Sequence, residues 1–587
     1  MTAHDRLSAT GTAAAVRAQE TSARAVIEDV LARLAAYDPI QPAVWISRFD
    51  RDALLTAADR VDARVAAGEA LPLAGVPFAV KDNIDVAGLA TTAACPAFAY
   101  APERSATVVE RLVAAGAIPV GKTNLDQFAT GLNGTRSPYG APRNAYNRAW
   151  ISGGSSSGSA VAVAAGLVAF ALGTDTAGSG RVPAAFNHLY GLKPSRGRWS
   201  GRGLVPACRT LDCISVFASS TADAAAVDAV VAGFDRDDAF SCALPDVPRP
   251  PRRVGVPRAD QRLWFGDLES AHLFDRALAD LPAEVVEIDM APLSEAARLL
   301  YDGPWIAERA AALAPLLRDD PAAIHPVVRG IVAQGRAFTA VEAFDGLYRL
   351  AELARAAEAI WDAVDLILAP TAPTSYRVAE MLAAPVALNA HLGAYTNFVN
   401  LLDMAALALP AGAYASGVGF GVTLIGPAGS DRALLEAADA LFPAPASPPP
   451  LDWEGRMETV TLAVVGAHLK DMPLHWQLTS REARFEGEAR TAPAYRLYAM
   501  ADSVPPKPAL VHVGAEADAG SIALELYTLD MAAFGRFVAE VPPPLAIGTV
   551  TLDDGRLVKG FVAEPRAMTG AEDITALGGW RAYIQRR

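Results

Sequence analysis

Two clusters of glycine and serine, separated by one apolar run, hold the residue types best suited to covalent chemistry in this chain. The clusters are residues 153–159 and 173–181, and the run between them is 160–172. Glycine lets main-chain N–H groups approach a ligand closely, and a serine hydroxyl becomes a nucleophile once a base is nearby. A flexible Gly/Ser linker is the alternative, but linkers are not interrupted by thirteen residues rich in Ala, Val, Leu and Phe. The clusters therefore indicate a functional site.

Lys81 stands directly after residues 75–80, an apolar stretch with the length of a buried strand. Asp82 and Asn83 follow it, so three polar side chains come at the end of that strand. A lysine in such a place is most often a solvated residue at the edge of a sheet. Its part in any chemistry depends on what the fold brings near it.

Two further patterns imitate functional motifs without the elements that those motifs need. Residues 116–123 match the phosphate-binding pattern G-x-x-x-x-G-K-[ST], but a predicted helix precedes the first glycine and Pro119 removes one N–H donor. Residues 154–158 spell the nucleophile elbow G-x-S-x-G with Ser156 at its centre. That motif needs a strand before it, and residues 144–152 predict a loop. Both patterns argue weakly for the functions they imitate.

Helical and strand-like segments alternate as far as about residue 440, which is typical of an α/β layer fold around a large sheet. Residues 11–37 carry apolar side chains at helical spacing, and Asp38 and Pro39 end that pattern. Further helices are predicted at 50–67 (ended by Gly68), 107–115 (ended by Gly116) and 181–187, and strands at 75–80, 117–120, 191–194 and 364–369.

A proline-rich stretch at 443–452 indicates a linker and a domain boundary. The residues beyond it are rich in strand signals and predict a separate small α+β domain. The domains are therefore predicted at 1–442 and 457–587, with a Pro-rich linker at 443–456 between them. Strands of the second domain are predicted at 459–465, 494–499, 522–526 and 545–552.

The composition of the 587 residues is that of a globular enzyme, with 52% hydrophobic and 20% charged residues. A net charge of −14 without a basic stripe argues against nucleic acid as a partner. The apolar runs are shorter than the roughly 20 residues of a membrane helix, and the polar N-terminus does not resemble a signal peptide. Four cysteines predict a reducing, cytoplasmic location. Cys208 and Cys213 have no companion pair and no nearby histidine, which argues against a zinc site.

Lys81, Ser155 and Ser179 together resemble the catalytic set of the amidase signature family. They lie 74 and 24 residues apart, in the order of a lysine after a strand, then Gly-Gly-Ser-Ser, then Gly-Ser-Gly-Arg, and the resemblance covers roughly residues 20–440. It implies a large mixed β-sheet covered by helices on both faces, and an amidohydrolase activity. It implies no cofactor and no metal.

Finer matches are similar to the branch of that family whose members hydrolyse allophanate. They are residues 123–131, 177–183 and 205–213, with Ala177 where many relatives outside the branch have glycine. Residues 465–469 and 578–583 are similar to the second domain of that branch, which has a γ-glutamyl cyclotransferase-like fold. The resemblance implies the small-molecule substrate allophanate, a homodimer and functional coupling to a urea carboxylase.

The resemblance also assigns roles to residues of the two clusters. Ser179 attacks the amide carbonyl and forms an acyl-enzyme, Lys81 is the base, and Ser155, preceded by a cis peptide bond, relays the proton. Lys81 can accept a proton only when neutral, and burial lowers the pKa of a lysine. The main-chain N–H groups of Thr176, Ala177, Gly178 and Ser179 form the oxyanion hole. Asp175 is expected to hold this loop by accepting hydrogen bonds.

Tyr301 and Arg309 match the substrate-contacting pair of the same branch in type and in spacing. Allophanate carries a carboxylate, and the planar guanidinium of arginine can bind a carboxylate with two parallel hydrogen bonds. Without the resemblance, an interhelical hydrogen bond and a surface salt bridge would explain these two residues. His468 lies in a glycine-containing turn after a predicted strand, and is a candidate for acid/base chemistry on the first domain's product.

Three alternatives remain open at this point. One is an amidase acting on another small carboxylated amide; an enzyme for neutral amides would have no need of Arg309. A second is an amidotransferase subunit that amidates aminoacyl-tRNA, against which the acidic charge and the second domain argue. A third is a non-enzymatic scaffold, which would not need Lys81, Ser155 and Ser179 together.

Overall fold

The structure is a computed structural model that describes residues 7–279, 281–443, 448, 449, 451, 459–481, 483–501, 503–514 and 519–586. The chain divides into two compact units, Met1–Gly455 and Arg456–Arg587. Most of the linker predicted at 443–456 lies outside the described residues, so the domain boundaries stay a prediction.

An eleven-stranded mixed sheet forms the centre of the first unit, in the order β1-β3-β2-β4-β6-β5-β10-β11-β9-β7-β8. Its strands are β1 Trp45–Arg48, β2 Pro77–Lys81, β3 Ile118–Thr123, β4 Phe170–Asp175, β5 Tyr190–Lys193, β6 Cys213–Ala218, β7 Arg253–Pro257, β8 Glu284–Ile288, β9 Leu366–Pro370, β10 Met404–Ala413 and β11 Gly419–Pro427.

Helices of the first unit pack against this sheet and against one another. They are α1 Ala9–Arg17, α2 Ala23–Tyr37, α3 Arg51–Ala66, α4 Thr107–Ala114, α5 Ser157–Ala164, α6 Val182–Phe186, α7 Thr221–Val231, α8 Leu268–Ala279, α9 Ala291–Asp302, α10 Trp305–Ala312, α11 Ala314–Asp319, α12 Pro326–Gln334, α13 Ala340–Glu358, α14 Ile360–Ala363, α15 Val378–Ala383, α16 Ala387–Leu392, α17 Asn397–Leu401 and α18 Asp431–Leu441. The predicted α/β class, with a large mixed sheet and a separate smaller domain, is confirmed.

The helix predicted at 11–37 is two helices, α1 and α2. Gln19, between them, has a φ of 57°, and the Ser22 side chain accepts a hydrogen bond from Ala25 N at 3.0 Å. Serine at such a position satisfies an N–H group that a helix start leaves free. The apolar spacing continues across the break because both helices pack on one core, so periodicity alone did not show it.

Strand pairing brings three chain segments together at one edge of the sheet, the edge formed by the carboxyl ends of β2 and β4. Strand β4 pairs in parallel with β2, so Lys81 and Asp175, their last residues, point to the same edge. Strand β6 runs antiparallel to β4 and begins at that edge, with Cys213 opposite Asp175. All residues of these three strands are buried. The polar residues that follow β2 and β4 therefore meet at the edge of an apolar layer.

Neither of the two imitating motifs has the structure of the motif it matches. The Gly-Lys-Thr of 116–123 lies inside β3, and Lys122 Nζ contacts Asp82 Oδ1 at 3.0 Å with both side chains fully buried. No strand of the described residues enters the stretch before Ser156, whose Oγ instead donates to the Thr174 carbonyl at 3.1 Å. Lys122 and Ser156 thus have structural partners.

The second unit contains a five-stranded sheet, β13-β16-β12-β18-β17, and a three-stranded sheet, β15-β14-β19. The described residues contain the four predicted strands and four more that were not predicted. The elements are β12 Thr459–Val464, β13 Arg484–Arg490, β14 Tyr495–Ala499, β15 Pro508–His512, β16 Ala523–Asp530, β17 Leu545–Thr551, β18 Leu557–Ala563 and β19 Glu572–Asp573, with α19 Trp476–Thr479, α20 Met531–Ala539 and α21 Trp580–Arg586. The γ-glutamyl cyclotransferase likeness stays a prediction.

None of the helices that the structure describes combines the length and the apolar character that crossing a membrane requires.

The buried pair of Lys122 and Asp82 generates a test of the structural interpretation of the 116–123 motif. We expect Lys122→Met to lower the free energy of unfolding by about 3–5 kcal/mol, because it leaves the Asp82 carboxylate buried without its cation. Urea denaturation followed by circular dichroism measures the change. Arg24→Met, which removes one partner of the exposed pair with Asp59, is the control and should change stability far less. Equal effects of the two substitutions would contradict the interpretation.

Candidate active site

Lys81 is enclosed at the end of β2 and has a relative exposure of 0%. Its Nζ donates to Ser155 Oγ at 2.8 Å and to Thr174 Oγ1 at 2.6 Å. Thr174 lies beside it because β2 and β4 are parallel neighbours. The amide of Asn83 also donates to Thr174 Oγ1, at 3.4 Å. The lysine is therefore held by two hydroxyls, and its side chain does not reach solvent.

Burial lowers the pKa of Lys81 from its ordinary value to about 7, while the charges of Asp126, Asp212 and Asp175 act in the opposite direction. A charged ammonium loses its hydration on burial and neutral hydroxyls replace only part of it. Near neutral pH a substantial fraction of Lys81 is therefore unprotonated, and in that form its nitrogen can accept a proton.

Ser155 follows a cis peptide bond, Gly154–Ser155, and is fully buried. Its carbonyl accepts a hydrogen bond from Asp126 N at 3.1 Å. A Cβ on Gly154 would lie 2.2 Å from Asp126 Oδ2, so only glycine fits there. The close approach of these two segments places the Ser155 hydroxyl against Lys81.

Ser179 lies in the loop after β4 and has a relative exposure of 2%. Its Oγ donates to the Gly131 carbonyl at 3.4 Å. Within the residues that the structure describes, Ser179 and Ser155 share no hydrogen bond. A hydroxyl has one proton to donate, and that of Ser179 is directed to Gly131. Lys81 and Ser155 are thus in contact, and the last link of the expected relay is not formed in this state.

Asp175 organises the loop that carries Ser179. Its carboxylate accepts from the N–H groups of Gly178 and Gly180, each at 2.9 Å, and from Nε and Nη2 of Arg181, each at 2.9 Å. Burial acts to raise the pKa of Asp175, but Arg181, Lys193 and the hydrogen bond from the Gly180 N–H together outweigh it, so the pKa lies below its ordinary value. The carboxylate is therefore charged and fully used in holding the loop.

These contacts correct one predicted oxyanion donor. The N–H of Gly178 is already bonded to Asp175 and is not free for a substrate oxygen. The N–H groups of Thr176, Ala177 and Ser179 donate to no other described residue. The Thr176 hydroxyl donates to Asp212, and burial raises the pKa of Asp212 to about 6.

Arg309 lies in α10 with a relative exposure of 2%, which excludes a surface salt bridge. Its Nη1 donates to Thr130 Oγ1 at 3.3 Å, and its Cζ lies 5.4 Å from the ring centroid of Tyr301. Its Nε and Nη2 have no hydrogen-bond partner among the described residues. A buried guanidinium with unused donors favours an anionic ligand, because unpaired buried donors are costly.

His468 lies in the second unit and lines a cavity of about 170 Å³. Its Nε2 is 2.8 Å from Gln477 Oε1, and its ring stacks on Phe561 with centroids 5.0 Å apart. Burial lowers the pKa of His468, which favours the neutral imidazole. A neutral imidazole in a cavity can accept or relay a proton.

Several residues that hold the site were not predicted from the sequence. Thr174 and Asp212 lie in the stretches 173–181 and 205–213, but their role depends on which strands are neighbours. Asp126 accepts three main-chain N–H bonds, from Asn133, Gly134 and Arg136. An aspartate shortly before a run of glycine and asparagine is the available sequence signal for such a loop anchor. Thr130 and Gly131 gave no signal of their own.

Comparison with known proteins identifies the family of this chain. Residues 25–435 match the Amidase family model, and residues 460–585 match that of the allophanate hydrolase C-terminal domain. The urea amidolyase of Saccharomyces cerevisiae is 42% identical over 576 residues, which cover 92% of this chain and 31% of that protein. The chain therefore spans about a third of the length of this relative. A glutamyl-tRNA(Gln) amidotransferase subunit of Prochlorococcus marinus is 36% identical over 459 residues, which cover 71% of this chain and 93% of that protein.

The solved structure of Kluyveromyces lactis allophanate hydrolase matches with a TM-score of 0.67 and 39% identity, covering 95% of this chain and 99% of that chain. The matches include both units, whereas the amidotransferase subunit matches a smaller share of the chain. The chain therefore belongs to the amidase family, as an amidase signature enzyme that carries an allophanate hydrolase C-terminal domain.

Proposed function

We propose that this enzyme hydrolyses allophanate to ammonia and carbon dioxide through a Ser179 acyl-enzyme. The observation that carries the proposal is the buried Arg309, whose unused Nε and Nη2 can pair with the carboxylate of the substrate. The likeness of both units to Kluyveromyces lactis allophanate hydrolase supports the same substrate.

In the proposed reaction, Lys81 in its neutral form takes the proton of Ser155, and Ser155 takes that of Ser179. Ser179 Oγ then attacks the terminal carbamoyl carbon of allophanate. The N–H groups of Thr176, Ala177 and Ser179 stabilise the oxyanion, and loss of one such donor typically costs about 2.7–4 kcal/mol. The proton now on Lys81 returns through Ser155 to the leaving nitrogen, which departs as ammonia. The same base then takes a proton from water, which attacks the acyl carbon. The bond to Ser179 Oγ breaks, and Ser179 regains its proton.

The substrate carboxylate is proposed to bind Arg309, with Tyr301 beside it. Arg309 is always protonated, and a carboxylate accepts two parallel bonds from one edge of its fork. The Tyr301 ring lies against the guanidinium and restricts its orientation. Amidases acting on malonamate or another small carboxylated amide would use the same clamp, so this alternative stays open. The aminoacyl-tRNA alternative gives the second unit no role.

Hydrolysis of the acyl-enzyme leaves a nitrogen that carries two carboxylates, and this product can lose carbon dioxide in solution. We propose that the second unit accelerates this step, with His468 supplying the proton. We further propose a homodimer, a cytoplasmic location and functional coupling to a urea carboxylase. The match of this chain to about a third of a urea amidolyase supports the coupling, because a longer protein has room for a partner activity.

Ser179→Ala should reduce ammonia release from allophanate by more than about 10⁴-fold, because no other hydroxyl can form the acyl-enzyme. Lys81→Ala should be nearly as damaging, Ser155→Ala somewhat less, and the effects should not add. A coupled ammonia assay measures the rates, with biuret and malonamate as further substrates. Ser156→Ala is the matched control, since the Ser156 hydroxyl bonds, among the described residues, only to the main chain of Thr174. Turnover of a few per cent by Ser179→Ala would refute the assignment.

The pKa of Lys81 at about 7 generates a pH prediction. Because the base must be neutral, kcat/KM should rise about tenfold per pH unit below that pKa and level off above it. A pH–rate profile measures this. Asp212, with a pKa of about 6, also titrates near the site, and its charge acts to raise the pKa of Lys81. Asp212→Asn identifies its contribution: it removes that charge and should move the inflection of the profile to lower pH. A profile that is flat through neutral pH would contradict the role of Lys81.

His468→Ala in the full chain should release the first ammonia at the normal rate and the second with a lag. The reason is that only the second step uses the proton of His468. A stopped-time ammonia assay follows both releases. His512→Ala is the control, because His512 is an exposed histidine of the same unit. Two equivalents of ammonia at full rate from His468→Ala would leave His468 without a catalytic role, and light scattering then tests whether the unit serves in assembly.

A further inference from the structure

We propose that Thr130 is the positioning residue that determines the preference of the site for short carboxylated amides. Thr130 holds one edge of the Arg309 guanidinium, so that the opposite edge faces the substrate carboxylate. The next residue, Gly131, contacts the nucleophile, so the same dipeptide sets the distance between the two ends of the substrate. This inference rests on the proposed function and adds a residue to it.

The orientation of Arg309 follows from which of its donors are used. Nη1 is bonded to Thr130 Oγ1, and the two unused donors are Nε and Nη2. In this chain, Arg181 binds Asp175 and Arg198 binds Asp228 through the same Nε and Nη2 pair. Because the guanidinium is planar and rigid, a bond to Nη1 also orients this edge. Arg309 thus keeps its carboxylate-binding edge without a hydrogen-bond partner among the described residues.

The Thr130 hydroxyl is itself fixed as an acceptor. Its Oγ1 donates its one proton to the Phe128 carbonyl at 3.1 Å, which leaves only lone pairs for Arg309. The Thr130 N–H donates to the Gln127 carbonyl at 3.1 Å. The Thr130 carbonyl accepts from Nη1 of the buried Arg136 at 2.9 Å. Hydrogen bonds therefore fix both the main chain and the side chain of Thr130. This fixed position lets its hydroxyl orient the Arg309 guanidinium.

The charge around Thr130 favours an anion. Arg136 and Arg309 are both fully or almost fully buried, and both bond to Thr130. Neither forms an ion pair with a carboxylate of the described residues. Each also keeps an unpartnered Nε. Two buried guanidinium groups on one residue leave positive charge that a substrate carboxylate would neutralise.

Gly131 connects this clamp to the reaction. Its carbonyl accepts from Ser179 Oγ at 3.4 Å, and consecutive Cα atoms lie about 3.8 Å apart. The clamp and the nucleophile therefore cannot move apart without breaking one of two neighbouring contacts. A substrate must span a short, fixed distance from carboxylate to scissile carbonyl. Allophanate and malonamate have one atom between these groups, and succinamate has two.

The experiment compares Thr130→Val, which keeps the shape but loses the acceptor, with Thr130→Ser, which keeps it. Allophanate and biuret are a matched pair, since biuret carries an amide in place of the carboxylate; malonamate and succinamate differ by one methylene. For Thr130→Val we expect the ratio of kcat/KM for allophanate over biuret to fall at least about tenfold, as for loss of a hydrogen bond to a charged group. The loss should appear in the KM of allophanate, with kcat little changed. The ratio of kcat/KM for malonamate over succinamate should decrease as well.

Thr130→Ser keeps the hydroxyl, so both kcat/KM ratios, allophanate over biuret and malonamate over succinamate, should stay within about threefold of their wild-type values. Thr423→Val is the control, because Thr423 is a fully buried strand residue whose hydroxyl bonds to Thr371; it should leave both preferences unchanged. Arg309→Ala and Arg309→Lys should both abolish the preference for allophanate, since a point charge does not replace the planar fork.

The outcomes separate the two hypotheses. If Arg309→Ala loses the preference and Thr130→Val keeps it, the role of Thr130 is wrong and the carboxylate clamp stands. If Arg309→Ala keeps the preference, the clamp in the proposed function is wrong. If Thr130→Val and Thr130→Ser lose kcat equally on all substrates, Thr130 is only structural and the inference is overturned.

Discussion

The burial of Lys81 at the end of β2, beside the parallel strand β4, is the constraint on which the rest of the site depends. A lysine in water stays charged and cannot accept a proton at neutral pH. Here β2 ends inside the apolar layer, and among the described residues Nζ hydrogen-bonds only to the hydroxyls of Ser155 and Thr174. Burial lowers its pKa, and three nearby aspartates limit that effect. The balance leaves a base that can change its protonation state near neutral pH, which the proposed proton transfer requires.

The aspartates around Lys81 have a second role, as anchors for loops that are rich in glycine. Such loops have few side chains to hold them, and a charged acceptor for main-chain N–H groups replaces the missing packing. Asp175 holds the loop of Ser179, and Asp126 holds residues 133–136. Asp212 binds Ala207 and Cys208 N–H and the Thr176 hydroxyl. Loop order and the pKa of the base therefore depend on the same carboxylates.

Local patterns were sufficient to predict several elements of the fold. The strand before Lys81, helix α3 and its terminal Gly68, and the four predicted strands of the second unit are present, because apolar period and turn residues act over a few neighbours. The helix predicted at 11–37 is broken, since a cap at Ser22 competes with a periodicity that continues. The predicted donor Gly178 is occupied by Asp175, because a charged acceptor three residues away takes its N–H.

The sequence by itself determined the α/β class, the separate second domain and the residues that belong to the amidase signature, since each is written in short patterns or in spacing. It did not determine that Thr174 lies beside Lys81 or that the Ser179 hydroxyl donates to the Gly131 carbonyl. Nor did it determine that Arg309 is buried and hydrogen-bonded to Thr130. Only the tertiary structure decided these points. Strand order, burial and competition for hydrogen bonds arise from contacts between segments distant in the chain, and no local pattern contains them.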